Sequence, residues 1–543
     1  MAADDGARPR YFVRQPLRGV AVTRSIRRHS SATRWLWLMV ACLLAYWLMR
    51  LPNLLALPAH TDEGEYLLWA QWAWQGDPLH MLEQGKVLII ASTALLNPFT
   101  GGLFIARYLV LLSGIVGMAS IFAAGRKLHL PQTGLLAVLL WLGTPQLIFF
   151  ERMSLHDLPL ASMATLTLWL SLRMMESPRW GRAVWCGAAL ALCTAAKATG
   201  VIFLAIPVMM ALFWRGKLSW RQKASQVARC LAIFALLLLI PALYIASAGA
   251  DPFYMSANRP ASLATVGGLE GLFERLRVNL TRMVQAERVY LSLPLLVALP
   301  LAAVVLILRN ARVAMLLLGL TGVVFVAIAL AASKLWLRYV VPATPFMLLL
   351  IAVGLTYWAL GYRSRRPPPL RRRLLWGAAL GWIGLVGLPY AVTAQRDPSL
   401  LTLPDTDTFE YVQWVAAGYG VREAVAYLET LADAPLTVMG SAANCYGGRA
   451  MVASPRLTLI CPSGETWWDD LNVAHVGRIH EQAAAEGYTL ILADATAPII
   501  AADRLPQPLR IVREFPRPGG QFSVIVYCAG ADPDGRCPPP ATP

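Results

Sequence analysis

Apolar stretches of roughly 18–22 residues recur from Trp35 to about residue 393, each long enough to cross the hydrocarbon core of a bilayer. No other feature constrains this chain as tightly. Lipid offers the backbone no hydrogen-bond partners, so stretches of this kind satisfy their own amides as helices. Composition agrees: 57% of the 543 residues are hydrophobic and 15% charged, with a mean hydropathy of +0.52. Spans are expected at 35–54, 103–124, 132–150, 157–175, 183–199, 200–214, 230–249, 290–308, 313–332, 339–361 and 374–393, about eleven in all. Residues 1–34 precede them with eight Arg against two Asp. That segment is too long and polar for a signal-peptide head, and no small-residue cleavage motif follows, so it reads as an uncleaved cytoplasmic tail.

The formal charge is +17, but the arginines fall in short clusters between apolar stretches and not on one continuous face. Nucleic acid is therefore not an expected partner, and the cations read first as topology signals. With the N-terminus inside, the inner segments are 1–34, 125–131, 173–182, 215–229, 309–312 and 362–373. They hold 26 of the 48 Lys and Arg, against three acids, Asp4, Asp5 and Glu176. This orientation places the first loop, 55–102, and everything after 393 on the exoplasmic side. Chemistry driven by ATP or nucleotide sugars is not expected there. The Arg/Ala/Leu-rich composition and the absence of a retention signal lead us to expect a plasma (inner) membrane.

Beyond residue 393 the pattern changes. PLTVMG, LTLIC, TLILAD and FSVIVYCA alternate as short strands, and GVREAVAYLETLAD and DLNVAHVGRIHEQAAAEG repeat at helical spacing. The organisation expected is thus a basic tail (1–34), a polytopic α-helical membrane domain (35–393), and a small exoplasmic α/β domain with a Pro-rich tail (394–543). Cys42, Cys186, Cys193 and Cys230 fall in or at spans. Cys445, Cys461, Cys528 and Cys537 fall in the outer domain, where disulfides persist. Three pairings are open; the local ones, Cys445–Cys461 and Cys528–Cys537, are favoured.

Polar residues converge on the predicted outer ends of the spans. Asp62, Glu63, Glu65, Tyr66 and Lys86 lie in the first loop, and Arg107 opens the second span. Glu151, Arg152, His156 and Asp157 lie where the third span meets the fourth. Lys197 lies between the fifth and sixth, and Lys334, Arg338 and Tyr339 open the tenth. Any one carboxylate at a span end is more often a solvated flank, and a lone Lys or Arg there can be an interfacial anchor. Their joint placement on one face is what transfer from a phosphate-bearing donor requires: a carboxylate to take a proton, cations to hold the leaving phosphate. No His/Cys set has zinc spacing, and the sequon Asn279-Leu280-Thr281 is a pattern that often arises by chance.

HTDEGEYLLWAQWAWQG resembles the first-loop motif of the GT-C membrane glycosyltransferases, in the protein O-mannosyltransferase / aminoarabinose transferase-like group. The resemblance continues in order through GGLFIARYLVLLSGIVG, ERMSLHDLPLASMATLTLWL, LCTAAKATGVIFLAIP and KLWLRYVVPATPFMLLL, covering roughly 35–360. It implies an inverting glycosyltransferase that uses a polyprenyl-phosphate-linked sugar. Asp62 would be the acceptor-activating base, with Glu63 beside it and Asp157 as a second acid. Lys86, Arg107, Lys197, Arg338 and Tyr339 would hold the donor phosphate. Relatives often follow the loop lysine with prolines; here Val87-Leu88 follow Lys86. The acceptor is left open among protein, glycolipid and polysaccharide. No cofactor is required by the pattern, and a divalent cation shared by Asp62 and Asp157 stays open. A transporter or flippase, or a non-catalytic receptor, would also explain the spans. The first predicts charges near the midplane and repeated halves, which the sequence does not show; the second predicts tolerance of Asp62→Asn.

Overall fold

The computed structural model describes residues 19–250, 268–361, 369–461, 481, 490–496 and 509–529. The chain divides into two compact units, Met1–Tyr46 and Trp47–Pro543. The described part of the first is a helix that belongs to Gly19–Arg50 and carries the apolar run WLWLMVACLLAYWLM. The second unit contains the rest of the helices and a five-stranded sheet.

Among the described residues, five helical segments are long and apolar enough to cross a membrane: Gly102–Leu128, Trp220–Ser247, Ser292–Ala331, Leu337–Leu360 and Pro369–Arg396. The expected stretches at 290–308 and 313–332 are two helices within Ser292–Ala331, which meet at a kink where the Asn310 backbone is non-helical. The Asn310 amide donates to Tyr357 Oη there (3.3 Å), giving the break a side-chain partner. Trp220–Ser247 presents Leu236, Leu239, Ile240 and Leu243 to the surroundings, as a helix in contact with lipid should. Leu337–Leu360 is instead buried almost throughout and fills the centre of the bundle.

The first loop is not irregular. It folds as three helices, Thr61–Trp74, Leu79–Glu83 and Val87–Leu96. The first begins at a capping box: the His60 ring accepts from the Asp62 amide, and the Glu63 carboxylate accepts from the His60 amide.

The sheet of the C-terminal part runs in the order β2-β1-β3-β5-β4, with β1 Leu436–Gly440, β2 Leu457–Ile460, β3 Leu490–Thr496, β4 Leu509–Pro516 and β5 Phe522–Ala529. β1 pairs parallel with β2 and β3, and β5 pairs antiparallel with β3 and β4. Helix Val421–Leu431 covers one face, packing Val421, Ala424, Val425 and Leu428 onto Val438, Leu490, Leu492 and Val524. Cys445 and Cys461 form a disulfide. Cys537 and the helix expected from DLNVAHVGRIHEQAAAEG lie outside the described residues. β4 was not anticipated: a register irregularity between Ile511 and Arg513 breaks its alternation, and Arg510, Arg513 and Glu514 dilute its apolar signal.

Close packing ties this domain to the first loop. The Thr61 amide donates to Ala416 O (3.0 Å), and its hydroxyl reaches Ala416 O and Ala443 O. Gly64 approaches helix Ala442–Arg449 so closely that an added Cβ would lie 1.9 Å from Tyr446 O. The buried Arg517 holds the connecting segment by donating to Tyr419 O, Val415 O and Asn444 Oδ1.

Candidate active site

Asp62 sits on the second residue of helix Thr61–Trp74 and is buried. Its Oδ2 lies 2.7 Å from Arg338 Nη1 and accepts from Tyr66 Oη (3.3 Å), one helical turn on. Lys86 Nζ donates to Tyr66 Oη (3.0 Å) and lies over the Tyr66 ring, so Lys86 reaches Asp62 through a tyrosine. Burial alone would raise the Asp62 carboxyl. The charge of Arg338, with His60 and Lys86 behind it, overcomes that and holds the group well below the usual carboxylate range.

Arg338 comes from a short 3-10 helix, Leu337–Ala343, which ends where Thr344–Leu360 begins. Its guanidinium also lies 3.6 Å from Glu410 Oε1 and 4.0 Å from Asp157 Oδ2. Asp157 opens helix Asp157–Met174 and pairs through Oδ1 with Lys197 Nζ (2.7 Å). Lys197 stands between helix Trp180–Ala196 and a 3-10 segment, Ala198–Leu204, with its ammonium 4.0 Å from the Tyr339 ring centroid. Asp62, Arg338, Asp157, Lys197 and Tyr339 thus form one continuous cluster, with Lys86 joined by Tyr66. Arg338 stands between the two aspartates that a shared cation would bridge. Among the described residues, no group of three or more His, Cys, Asp or Glu is arranged to hold a metal ion.

Arg107, expected among the phosphate ligands, and Glu63 lie outside this cluster and pair with each other. A guanidinium has five N–H donors. In Arg107 they meet Glu63 Oε1 (2.9 Å), Glu63 Oε2 (2.6 Å), Leu54 O, Leu57 O and Pro58 O. No donor is left for a phosphate, and the side chain is fully buried. Glu63 completes its shell with the Ser154 amide and hydroxyl and the His60 amide. Burial opposes its ionisation, but Arg107 and these hydrogen bonds lower its carboxyl below the ordinary value. The pair braces the loop that presents Asp62. Glu151 and Arg152 brace it too: Glu151 receives Arg50 Nε (2.6 Å) and the Trp141 indole (2.7 Å), and Arg152 donates to the carbonyls of Pro52 and Asn53. Asn279 is buried and donates to Ala329 O and Ala332 O at a helix end, so the sequon side chain serves packing.

Two residues of the cluster escaped sequence reasoning. His60 caps Asp62's helix through Nδ1, which leaves its ring proton on Nε2, 3.8 Å from Glu410 Oε1. Burial, against the pull of Asp62, lowers it to about 4, so the ring is neutral. Glu410 lies on a one-turn π-helix, Phe409–Gln413, just after the last apolar helix. Burial pushes its carboxyl well above the ordinary value despite Arg338. The available signal was an acid among aromatics in DTFEYVQW. A cavity of about 910 Å³ opens between the first loop and the C-terminal domain, lined by Leu57, Leu67, Arg449 and Leu459. Its lining includes neither Asp62, Asp157 nor Arg338, so it adjoins the cluster without opening it.

A family model described as dolichyl-phosphate-mannose-protein mannosyltransferase matches residues 88–245, which include Asp157 and Lys197 but neither Asp62 nor Arg338. No curated protein sequence matches the chain significantly. Among solved structures, ArnT from Cupriavidus metallidurans bound to undecaprenyl phosphate aligns with a TM-score of 0.55 at 15% identity, covering 94% of this chain and all of that one. The oligosaccharyltransferase AglB from Archaeoglobus fulgidus, in complex with an inhibitory peptide and a dolichol-phosphate, aligns with a TM-score of 0.53 at 12% identity. That alignment covers 91% of this chain and 74% of AglB. The fold is GT-C. The fold is shared with ArnT and AglB, and residues 88–245 match the mannosyltransferase family model, in line with the resemblance carried by the sequence motifs.

Proposed function

We propose that this GT-C protein transfers a sugar from a polyprenyl-phosphate-linked donor to an acceptor hydroxyl on the exoplasmic face of the plasma membrane, with inversion. The N-terminus is cytoplasmic in this reading, and the domain after residue 393 is exoplasmic. The carrying observation is Arg338 set between Asp62 (2.7 Å) and Asp157 (4.0 Å), with Lys197 on the far side of Asp157. Two cations are thus held ready on carboxylates, beside a carboxylate that can act as a base.

The donor's phosphate competes for Arg338 and Lys197. As Arg338 turns toward it, Asp62 loses the charge that suppresses its basicity, so the base is strengthened only when the donor is present. The acceptor oxygen attacks the anomeric carbon while the bond to the phosphate oxygen breaks. The hydroxyl proton passes to Asp62, and polyprenyl phosphate leaves with its charge met by Arg338 and Lys197. Lys86 acts through Tyr66 or on the phosphate directly. Glu63 and Arg107 fix the loop. ArnT and AglB, whose structures hold undecaprenyl phosphate and dolichol-phosphate, support the lipid class of the donor.

Asp62→Asn tests the base. Transfer should fall by about 10²–10⁴-fold, the usual worth of a positioned general base. Binding of a polyprenyl phosphate should persist in the same variant. Full activity in Asp62→Asn overturns the assignment.

A further inference from the structure

Three helices run away from the candidate site and meet again at their other ends. Helix Gly102–Leu128 carries Arg107 near one end and Arg126 and Lys127 near the other, about 30 Å along at 1.5 Å per residue. Helix Asp157–Met174 carries Asp157 at one end and Arg173 at the other. Helix Trp180–Ala196 carries Arg182 at one end and leads into Lys197 at the other. The distal ends therefore gather four cations, and one carboxylate serves them. Glu176 receives Lys127, Arg173 (3.4 Å) and Arg182 (3.0 Å) at once.

Two cavities of about 400 and 380 Å³ flank this cluster and share Trp169 and Arg173 as walls. The first is closed by Phe122 and Ala123 beneath Arg126 and Lys127. The second is walled by Leu166, Leu170 and Trp185, with Arg182 at its rim. Trp185 is 67% exposed. A cationic rim over one mainly apolar cleft and one that mixes Phe122, Ala123 and Trp169 with charge, at the end of a helix long and apolar enough to cross a bilayer, suits a phosphodiester that carries acyl chains.

We propose that this distal cluster binds the headgroup of an anionic glycerophospholipid from the leaflet opposite the candidate site. Its phosphate would rest among Arg126, Lys127, Arg173 and Arg182, and its chains would lie on either side of Trp169. The site is independent of the transfer reaction, and the cations carry it. Local charge stays positive after Glu176 is counted, with Arg179 beside Arg182 adding to it, so an anion relieves repulsion that one carboxylate cannot.

The test uses the full chain in detergent and native mass spectrometry with phosphatidylglycerol and phosphatidylcholine of identical acyl chains. Phosphatidylglycerol should be retained preferentially. The double variant Arg126→Gln/Arg173→Gln should weaken that retention about thirtyfold, the product of two contacts of roughly 1 kcal/mol each. Glu176→Gln keeps every cation and removes the internal competitor, so it should strengthen retention; this arm holds if the double variant fails to fold. Equal retention of phosphatidylcholine would show a merely apolar cleft and overturn the proposal. Displacement of the lipid by inorganic phosphate at equal concentration would show a free-anion site and overturn the lipid assignment.

Discussion

Glu63 accepts from Arg107, Ser154 and the His60 amide, whereas Asp62, one residue earlier, meets a guanidinium shared with Asp157 and Glu410. The first set is saturated and the second is exchangeable, so the neighbours should fail differently. Glu63→Gln strips Arg107 of its counter-charge inside the protein, which costs about 3–5 kcal/mol. Thermal denaturation in detergent should show a large drop for Glu63→Gln and little change for Asp62→Asn. A second residue-scale prediction concerns the buried carboxylate of Glu287, which faces the Gln146 side chain. Burial lifts its carboxyl from 4.5 to about 8, against a smaller opposing pull from Gln146. The folded state then binds a proton that the unfolded state has released, so stability is fullest below pH 4.5 for this group and falls as pH rises toward 8. Glu287→Gln should flatten that fall, as measured by melting temperature across pH 5–8 (roughly the interval between the two values). Asp62, Asp157, Lys197 and Arg338 were legible in the sequence because charge beside apolar stretches stands out. Glu410 and His60 were not, because their meaning depends on a fold that brings residue 410 back to residue 60.

At the scale of elements, helix Thr61–Trp74 is positioned by what it touches and not by its own pattern. Gly64 sits where Tyr446 O leaves no room for a Cβ. The obstacle is backbone and cannot rotate aside. Gly64→Ala should therefore push the helix off Ala442–Arg449, costing about 1–3 kcal/mol as overpacking does. Transfer activity should fall with every charged residue of the cluster still present. Measuring both rate and melting temperature separates this from loss of chemistry: an unchanged melting temperature with unchanged rate would refute the packing role. The sequence marked residues 55–102 only as an outer loop, because Trp-rich amphipathic helices look like interfacial belts until a partner surface is known. β4 was missed for a related reason: a bulge erases the period of two on which strand reading depends.

For the whole molecule, the apolar stretches were enough to give the architecture, since lipid permits few alternatives for long apolar segments. How the C-terminal sheet engages the first loop was beyond reach, because it rests on contacts hundreds of residues apart. The Cys445–Cys461 disulfide, with its partners 16 residues apart, fastens the end of β2 to the helix that abuts Gly64. Loop closure of that length is worth about 3 kcal/mol. Cys445→Ser/Cys461→Ser should lower the melting temperature, and reductant should lower that of the parent protein at least as far, since Cys528 is disulfide-bonded as well.

One feature bears on how the protein is made. Asp62 leaves the ribosome early, Asp157 later, and Arg338 and Glu410 only after most of the membrane helices have been synthesised. The guanidinium that neutralises Asp62 does not yet exist while the first loop is being synthesised. A half-finished chain carries acids that await their counter-ion, and the cluster closes only near the end of translation. On the proposed function, competence for transfer is therefore the last property this protein acquires, and a chain truncated before residue 338 should be inert.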